Sequence, residues 1–265
     1  MLPIDKIARK DANDSADYGR AKPSSFHGGA IYRRNRMPTT LTYATNPVRR
    51  VDVYPHQGAY KGDVLVLQGG NFTNTPDRGG KSADYANKLS KNGFRAHVAD
   101  RRGLTWPTIM EDPRAVIDWL TAYFSVQAQP ATKWGAWGWS SGATLAAWLA
   151  IEWKVQKAVV VSGPADMAPL APNNPGIQGL CPTGNYDDAS PALHIGPNTS
   201  PMFLLYGTQD TTIPLSQGEG LRDALAVQSI PDCVWYPYDG GHTLDGLTDT
   251  QIKPIRGAAF NWLAA

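Results

Sequence analysis

From residue 50 onward, short apolar runs alternate with longer segments whose apolar positions recur every three or four residues. The short runs cover 51–54, 63–67, 95–100, 133–137, 158–161, 202–206 and 233–238. Several are continuously apolar (VLVL, AVVV, FLLY), the pattern of strands covered on both faces. The longer segments, 81–91, 113–124, 141–153, 216–227 and 255–263, read as helices. Segment 113–124 starts with Pro in its first turn and sets Val116, Leu120 and Tyr123 on one stripe. Strands alternating with helices predict an α/β fold: a mostly parallel central sheet with helices on both faces. In such sheets ligands bind beyond the carboxyl ends of the strands.

Composition narrows the class. With 42% hydrophobic residues, nine Trp, eleven Tyr and six Phe, the chain carries enough apolar mass for a large core, which excludes a disordered polypeptide. No uninterrupted apolar stretch of about 18 residues appears, so no transmembrane helix and no membrane partner are expected. The first twenty residues carry charges where a secretion signal needs an apolar run, so a cytoplasmic location is expected. The net charge is only +2, but residues 1–50 hold ten Lys/Arg against four Asp. They read as a basic N-terminal arm with the first edge strands, ahead of a main domain at 51–265. Arg33, Arg34 and Arg36 lack interleaved aromatics, so the arm is expected to face water or a neighbouring subunit rather than nucleic acid. A homo-oligomer is left open. Cys181 and Cys233 are read as two inert thiols. The chain has no H-E-x-x-H, no phosphate-binding G-x-x-x-x-G-K-[ST] and no dinucleotide fingerprint, so no metal and no cofactor are expected.

The chemistry enters at Gly138-Trp139-Ser140-Ser141-Gly142, which follows a strand run and opens an Ala/Leu helix. A G-x-S-x-G between strand and helix forces its central serine into a strained, exposed turn over the helix N-terminus. Ser140 is the candidate nucleophile. Ser141 is its competitor, and a plain Gly-rich turn capped by serine is the structural alternative. A serine needs a base, and His27, His56, His97, His194 and His242 are available. His242, in the flexible Gly240-Gly241-His242 loop after the last strand run, is the best placed, with His194 as main rival. The base needs an orienting acid. Asp210, in Gly207-Thr208-Gln209-Asp210, gives the chain order Ser, Asp, His; Asp166 and Asp245 are the alternatives. An oxyanion hole would draw on the Ser141 N–H and on Gln68-Gly69-Gly70-Asn71-Phe72, after run 63–67.

These segments, with Arg50–Pro55 and Asp100-Arg101-Arg102, resemble the α/β-hydrolases. They are similar to bacterial carboxylesterases with an HGGG-type oxyanion loop and to the esterase-like branch near the prolyl oligopeptidases. The resemblance runs from Val51 to the C-terminus and leaves residues 1–50 largely outside. It implies an α/β-hydrolase fold and Gly70 and Asn71 as oxyanion donors beside Ser141. Two residues depart from the family: Gln68 stands for the usual His and Asn71 for a third Gly. Activity on a small-molecule ester is implied, with a peptidase or amidase, or a non-catalytic binding protein, as alternatives. The Pro-rich insertion at 164–201 is too short for a large helical lid, so a minimal lid and short acyl groups are expected. Trp139, Trp106 and Gln68 are candidate substrate-lining residues, although either tryptophan could equally fill core.

Overall fold

Strand β3 (Gly62–Leu67) shows how the core is divided. Its side chains alternate between the faces of the sheet: Leu65 and Leu67 join one buried cluster, Val64 and Val66 the other. The computed structural model describes residues 37–73, 78–129 and 133–265. Seven further strands complete the sheet: β1 (Thr39–Thr45), β2 (Val48–Tyr54), β4 (Phe94–Ala99), β5 (Trp134–Trp139), β6 (Lys157–Val161), β7 (Met202–Gly207) and β8 (Val234–Tyr238). The order across it is β1-β2-β4-β3-β5-β6-β7-β8. Strand β2 pairs antiparallel with β1 and β4, and every pairing from β4 to β8 is parallel.

Helices α1 (Gly80–Lys91) and α6 (Asp249–Ala264) cover one face, packing Tyr85, Leu89, Ile255 and Phe260 on Val64, Val66 and Trp137. Helices α2 (Glu111–Val126), α3 (Ser141–Ile151) and α5 (Leu215–Val227) cover the other, with Val116, Leu120, Leu145 and Leu221 on Leu65 and Leu204. Helix α3 is buried from Ser141 through Ala150, as suits a helix with no polar face.

Every expected strand is present, with ends shifted by up to three residues. Strand β1 was not among the expected runs because its face is only partly covered and its sequence, TTLTYAT, lacks an apolar block. Helix α6 begins six residues before its expected start, although Pro254 lies inside it. The Thr248 side chain accepts from Gln251 N–H while Gln251 reaches back to Thr248, a reciprocal cap that anchors the first turn upstream of the proline. The insertion folds as short helical turns plus α4 (Pro175–Leu180). Residues 1–36, with His27 and the Arg33–Arg36 charge run, lie outside the described residues. Arg49, counted with that basic arm, does not face water: it is buried in an ion pair with Asp112. Among the described residues no helix is long and apolar enough to cross a membrane.

Candidate active site

Ser140 leaves the carboxyl end of β5 with φ 54° and ψ −133°, a backbone conformation that costs a non-glycine residue about 1–3 kcal/mol. The glycines on either side explain how the turn closes. A Cβ on Gly138 would lie 2.2 Å from the Gly142 carbonyl oxygen, and one on Gly142 would lie 2.2 Å from that of Leu67. Neither position has room for a side chain. The Ser140 N–H donates to Val161 O (2.9 Å), tying the turn to the end of β6. Although Ser140 occupies the N-cap position of α3, its hydroxyl makes no capping bond. Its neighbour Ser141 is 1% exposed and its unpartnered hydroxyl is buried, so that hydroxyl is not presented as a nucleophile.

His242 and Asp210 meet at the same end of the sheet, 32 residues apart in sequence. His242 Nδ1 lies 2.8 Å from Asp210 Oδ2, while Asp210 Oδ1 accepts from the N–H groups of Thr212 (2.9 Å) and Ile213 (2.8 Å). Burial alone would raise the Asp210 carboxyl. The hydrogen bond from His242 and those from Ile213 and Thr212 outweigh it and hold the group below the usual carboxylate range. An ionised Asp210 fixes the tautomer with its proton on Nδ1, leaving Nε2 as the lone-pair nitrogen on the opposite ring edge. A relay of hydrogen bonds pins the loop that carries His242. Thr243 N–H donates to Ser162 Oγ (3.3 Å), Ser162 lies 3.1 Å from Tyr238 Oη, and Tyr238 Oη donates to Gly241 O (3.0 Å). The nucleophile turn and the histidine loop are thus bonded to consecutive residues, Val161 and Ser162. Neither Ser140 Oγ nor His242 Nε2 has a hydrogen-bond partner among the described residues.

The loop after β3 passes directly over this turn: a Cβ on Gly69 would lie 3.0 Å from Ser140 Cβ and 3.1 Å from the Trp139 ring. Asn71, at φ 51°, occupies the left-handed region that asparagine tolerates. Its carboxamide is turned to the insertion, where a Cβ on Gly176 would lie 2.3 Å from Asn71 Oδ1. The side chain that replaces the family's third glycine is therefore stacked against α4. Ser141 N–H, in the first turn of α3, has no intrahelical acceptor. Lys81 Nζ donates to Thr243 Oγ1 (2.8 Å) and lies 5.8 Å from the Trp139 ring centroid, bridging the loop of His242 and the strand end that carries Ser140.

The other candidates are engaged elsewhere. His194 bonds Asp187 O and stacks on Trp148; His97 is fully buried against Asp63; His56 bonds Gly58 O. Asp166 serves a local turn to Ala168, and Asp245 is exposed beyond the histidine turn. Trp139 is 7% exposed and stacks on Tyr85. The Trp106 ring packs on Trp148 at 4.5 Å between centroids, and its backbone N–H donates to Leu180 O. Gln68 is 6% exposed beside Ser82. Both cysteines are free thiols, and burial pushes each pKa up, which suppresses the reactive thiolate. Sequence reasoning did not single out Lys81, Ser162 or Tyr238, because none sits in a recognisable motif.

Behind the loop lies a buried charge cluster. Asp112 accepts from Arg49, from Arg102 N–H (2.9 Å) and from Arg102 Nη2 (2.9 Å). Replacing Asp112 with Asn would leave the buried Arg49 guanidinium uncompensated, while Arg102 keeps Glu111, and urea unfolding at pH 7 is expected to show a loss of about 3–5 kcal/mol. A loss under about 1 kcal/mol would mean that the cluster is not under load.

The BD-FAE family model matches residues 51–225, about two thirds of the chain. The chain belongs to the BD-FAE family. This BD-FAE protein has the α/β-hydrolase fold, and the match begins at Val51, where the sequence resemblance begins. Its fold is similar to that of a truncated carbohydrate esterase from gut microbiota (17% identity, TM-score 0.72, covering 87% of this chain and 98% of that one). It is also similar to an acetyl ester-xyloside bifunctional hydrolase from Caldicellulosiruptor lactoaceticus (17%, 0.72, 85% and 95%). A third similar structure is Thermogutta terrifontis esterase 2 phosphonylated by sarin (17%, 0.73, 85% and 94%). Among curated proteins none matches the sequence.

Proposed function

We propose that this BD-FAE protein is a serine hydrolase of small carboxylic esters, with Ser140 as nucleophile, His242 as base and Asp210 as orienting acid. The observation that carries the reading is the 2.8 Å contact between His242 Nδ1 and a carboxylate locked by two backbone N–H groups. It lies at the sheet end where Ser140 is held in a strained turn with its hydroxyl free. In this scheme His242 Nε2 takes the Ser140 proton as Oγ attacks the ester carbonyl. The oxyanion is held by the N–H groups of Ser141, Gly70 and Asn71, in water-poor surroundings where each donor is worth on the order of a hundredfold in rate. His242 then protonates the departing alcohol, and water repeats the cycle on the acyl-enzyme. We assign this chemistry to residues 51–265, with 164–201 as an insertion beside the acyl side.

Short acyl groups, acetyl first, are the expected substrates, because α4 is packed on Asn71 beside the oxyanion loop. Two of the structures that share the fold are named for carbohydrate and acetyl esters, which supports acetylated sugars as the class to try first. A fluorophosphonate probe tests the chemistry: labelling is expected on the peptide containing Ser140, and an unlabelled protein would remove the reading. A p-nitrophenyl ester series should show turnover falling beyond short chains, and a p-nitroanilide cleaved faster than its matched ester would replace the esterase by an amidase.

A further inference from the structure

Arg101, immediately after β4, is 4% exposed, yet among the described residues no carboxylate pairs with it. Its Nε and Nη1 have no hydrogen-bond partner, and Nη2 reaches only the Gly69 carbonyl, at 3.5 Å. The nearest acid, Asp112, is taken by Arg49 and Arg102. An unpaired buried guanidinium is costly, so its position calls for a use. The cavity beside it, shared with Gln68 and Asp112, holds about 10 Å³, room for no more than a water. No substrate anion can lie there, so any action of Arg101 on the reaction must pass through the loop.

The strand order supplies the geometry. Strand β3 lies between β4, which delivers Arg101, and β5, which delivers Ser140. The peptide joining Gly69 to Gly70 is planar and trans, so its C=O and N–H point in opposite directions. With the Gly69 oxygen drawn to Arg101 on the β4 side, the Gly70 N–H is turned to the β5 side, where Ser140 stands. Two successive glycines would otherwise let this peptide rotate and present its oxygen to the reacting carbonyl. We infer that Arg101 is a positioning residue that holds the Gly69–Gly70 peptide with its N–H facing the oxyanion. The cation also polarises that peptide, which strengthens Gly70 as a donor. Burial lowers the guanidinium pKa to about 10, leaving it charged at neutral pH.

The inference rests on the esterase reading, and the test separates the two. Wild type, Arg101→Met and Arg101→Lys are compared on p-nitrophenyl acetate for kcat and KM, alongside Tm and the rate of fluorophosphonate labelling. Arg101→Met is expected to lose roughly 10- to 100-fold in kcat, below the usual cost of deleting a donor, with KM within about twofold. Its Tm should hold or rise, because an unpaired buried charge has been removed. Labelling should slow in parallel, and Arg101→Lys should recover part of kcat through a single ammonium donor. Unchanged kcat in Arg101→Met would overturn the inference while leaving the esterase standing. So would a kcat loss that follows a fall in Tm, or a lysine variant no better than methionine. If Arg101→Met does not fold, Arg101→Lys decides alone: a roughly 3- to 10-fold loss in kcat at unchanged Tm supports the positioning role, and full activity or a lowered Tm overturns it. A wild type neither turning over ester nor labelled would instead remove the esterase reading itself.

Discussion

Replacing Ser140 with Ala is expected to lower kcat on p-nitrophenyl acetate by roughly 10⁵-fold, leaving only what the oxyanion donors contribute without a nucleophile. The fold should not suffer. The Ser140 hydroxyl caps no helix and bonds no described residue, so Tm should stay within a degree or two of wild type. Ser140→Gly should be equally inactive but more stable by about 1 kcal/mol, because glycine adopts the φ 54° turn without the strain that serine stores there. Steady-state kinetics on protein purified away from host esterases would check the first number, and urea unfolding the second. An alanine variant that keeps a tenth or more of the activity would move the nucleophile elsewhere.

The second large effect belongs to Asp210. Asp210→Asn keeps the oxygen that accepts from Thr212 and Ile213, so the turn after β7 should survive. Its new amide, however, donates to His242 Nδ1 and drives the imidazole proton to Nε2. That nitrogen can then no longer take the Ser140 proton, and kcat is expected to fall by roughly 10⁴-fold. The pH dependence follows from the sign of the carboxyl shift. A carboxylate whose pKa is lowered by folding contributes stability that is present above its unfolded value, about 3.9. That stability is lost only as pH falls through the lower folded value. Asp210 therefore stays ionised through the working range, so loss of its charge is not expected to limit kcat/KM there. A loss of activity under tenfold in Asp210→Asn would show that another group orients the base.

These two residues and Ser140 were legible in the chain because each sits in a short local pattern whose geometry is fixed by its neighbours. G-x-S-x-G placed between a strand run and an Ala/Leu helix favours a tight turn, and apolar runs at strand length favour burial. The order Ser, Asp, His follows from which strand end each loop leaves. The parallel sheet, the two-faced helical cover and the short insertion are all consequences of local periodicity, which a linear sequence carries in full.

Other features were not legible, for a common reason. Strand β1 is stabilised by pairing with β2 rather than by its own apolar content, and α6 starts early because Thr248 and Gln251 cap each other ahead of a proline. Trp106 and Trp139 had two equal readings until Trp148 and Tyr85 were found packed on them as part of the two core clusters. Arg49 looked like a solvated charge until Asp112 was found opposite it. The lock on His242 joins Ser162, Tyr238 and Thr243 from two strand ends, and Arg101 reaches Gly69 only because β4 and β3 are neighbours. A sequence specifies which residues can turn, bend or hide from water within a few positions of themselves. Which charge is left without a partner, and which carbonyl it then grips, is decided only when segments distant in the chain are brought into contact.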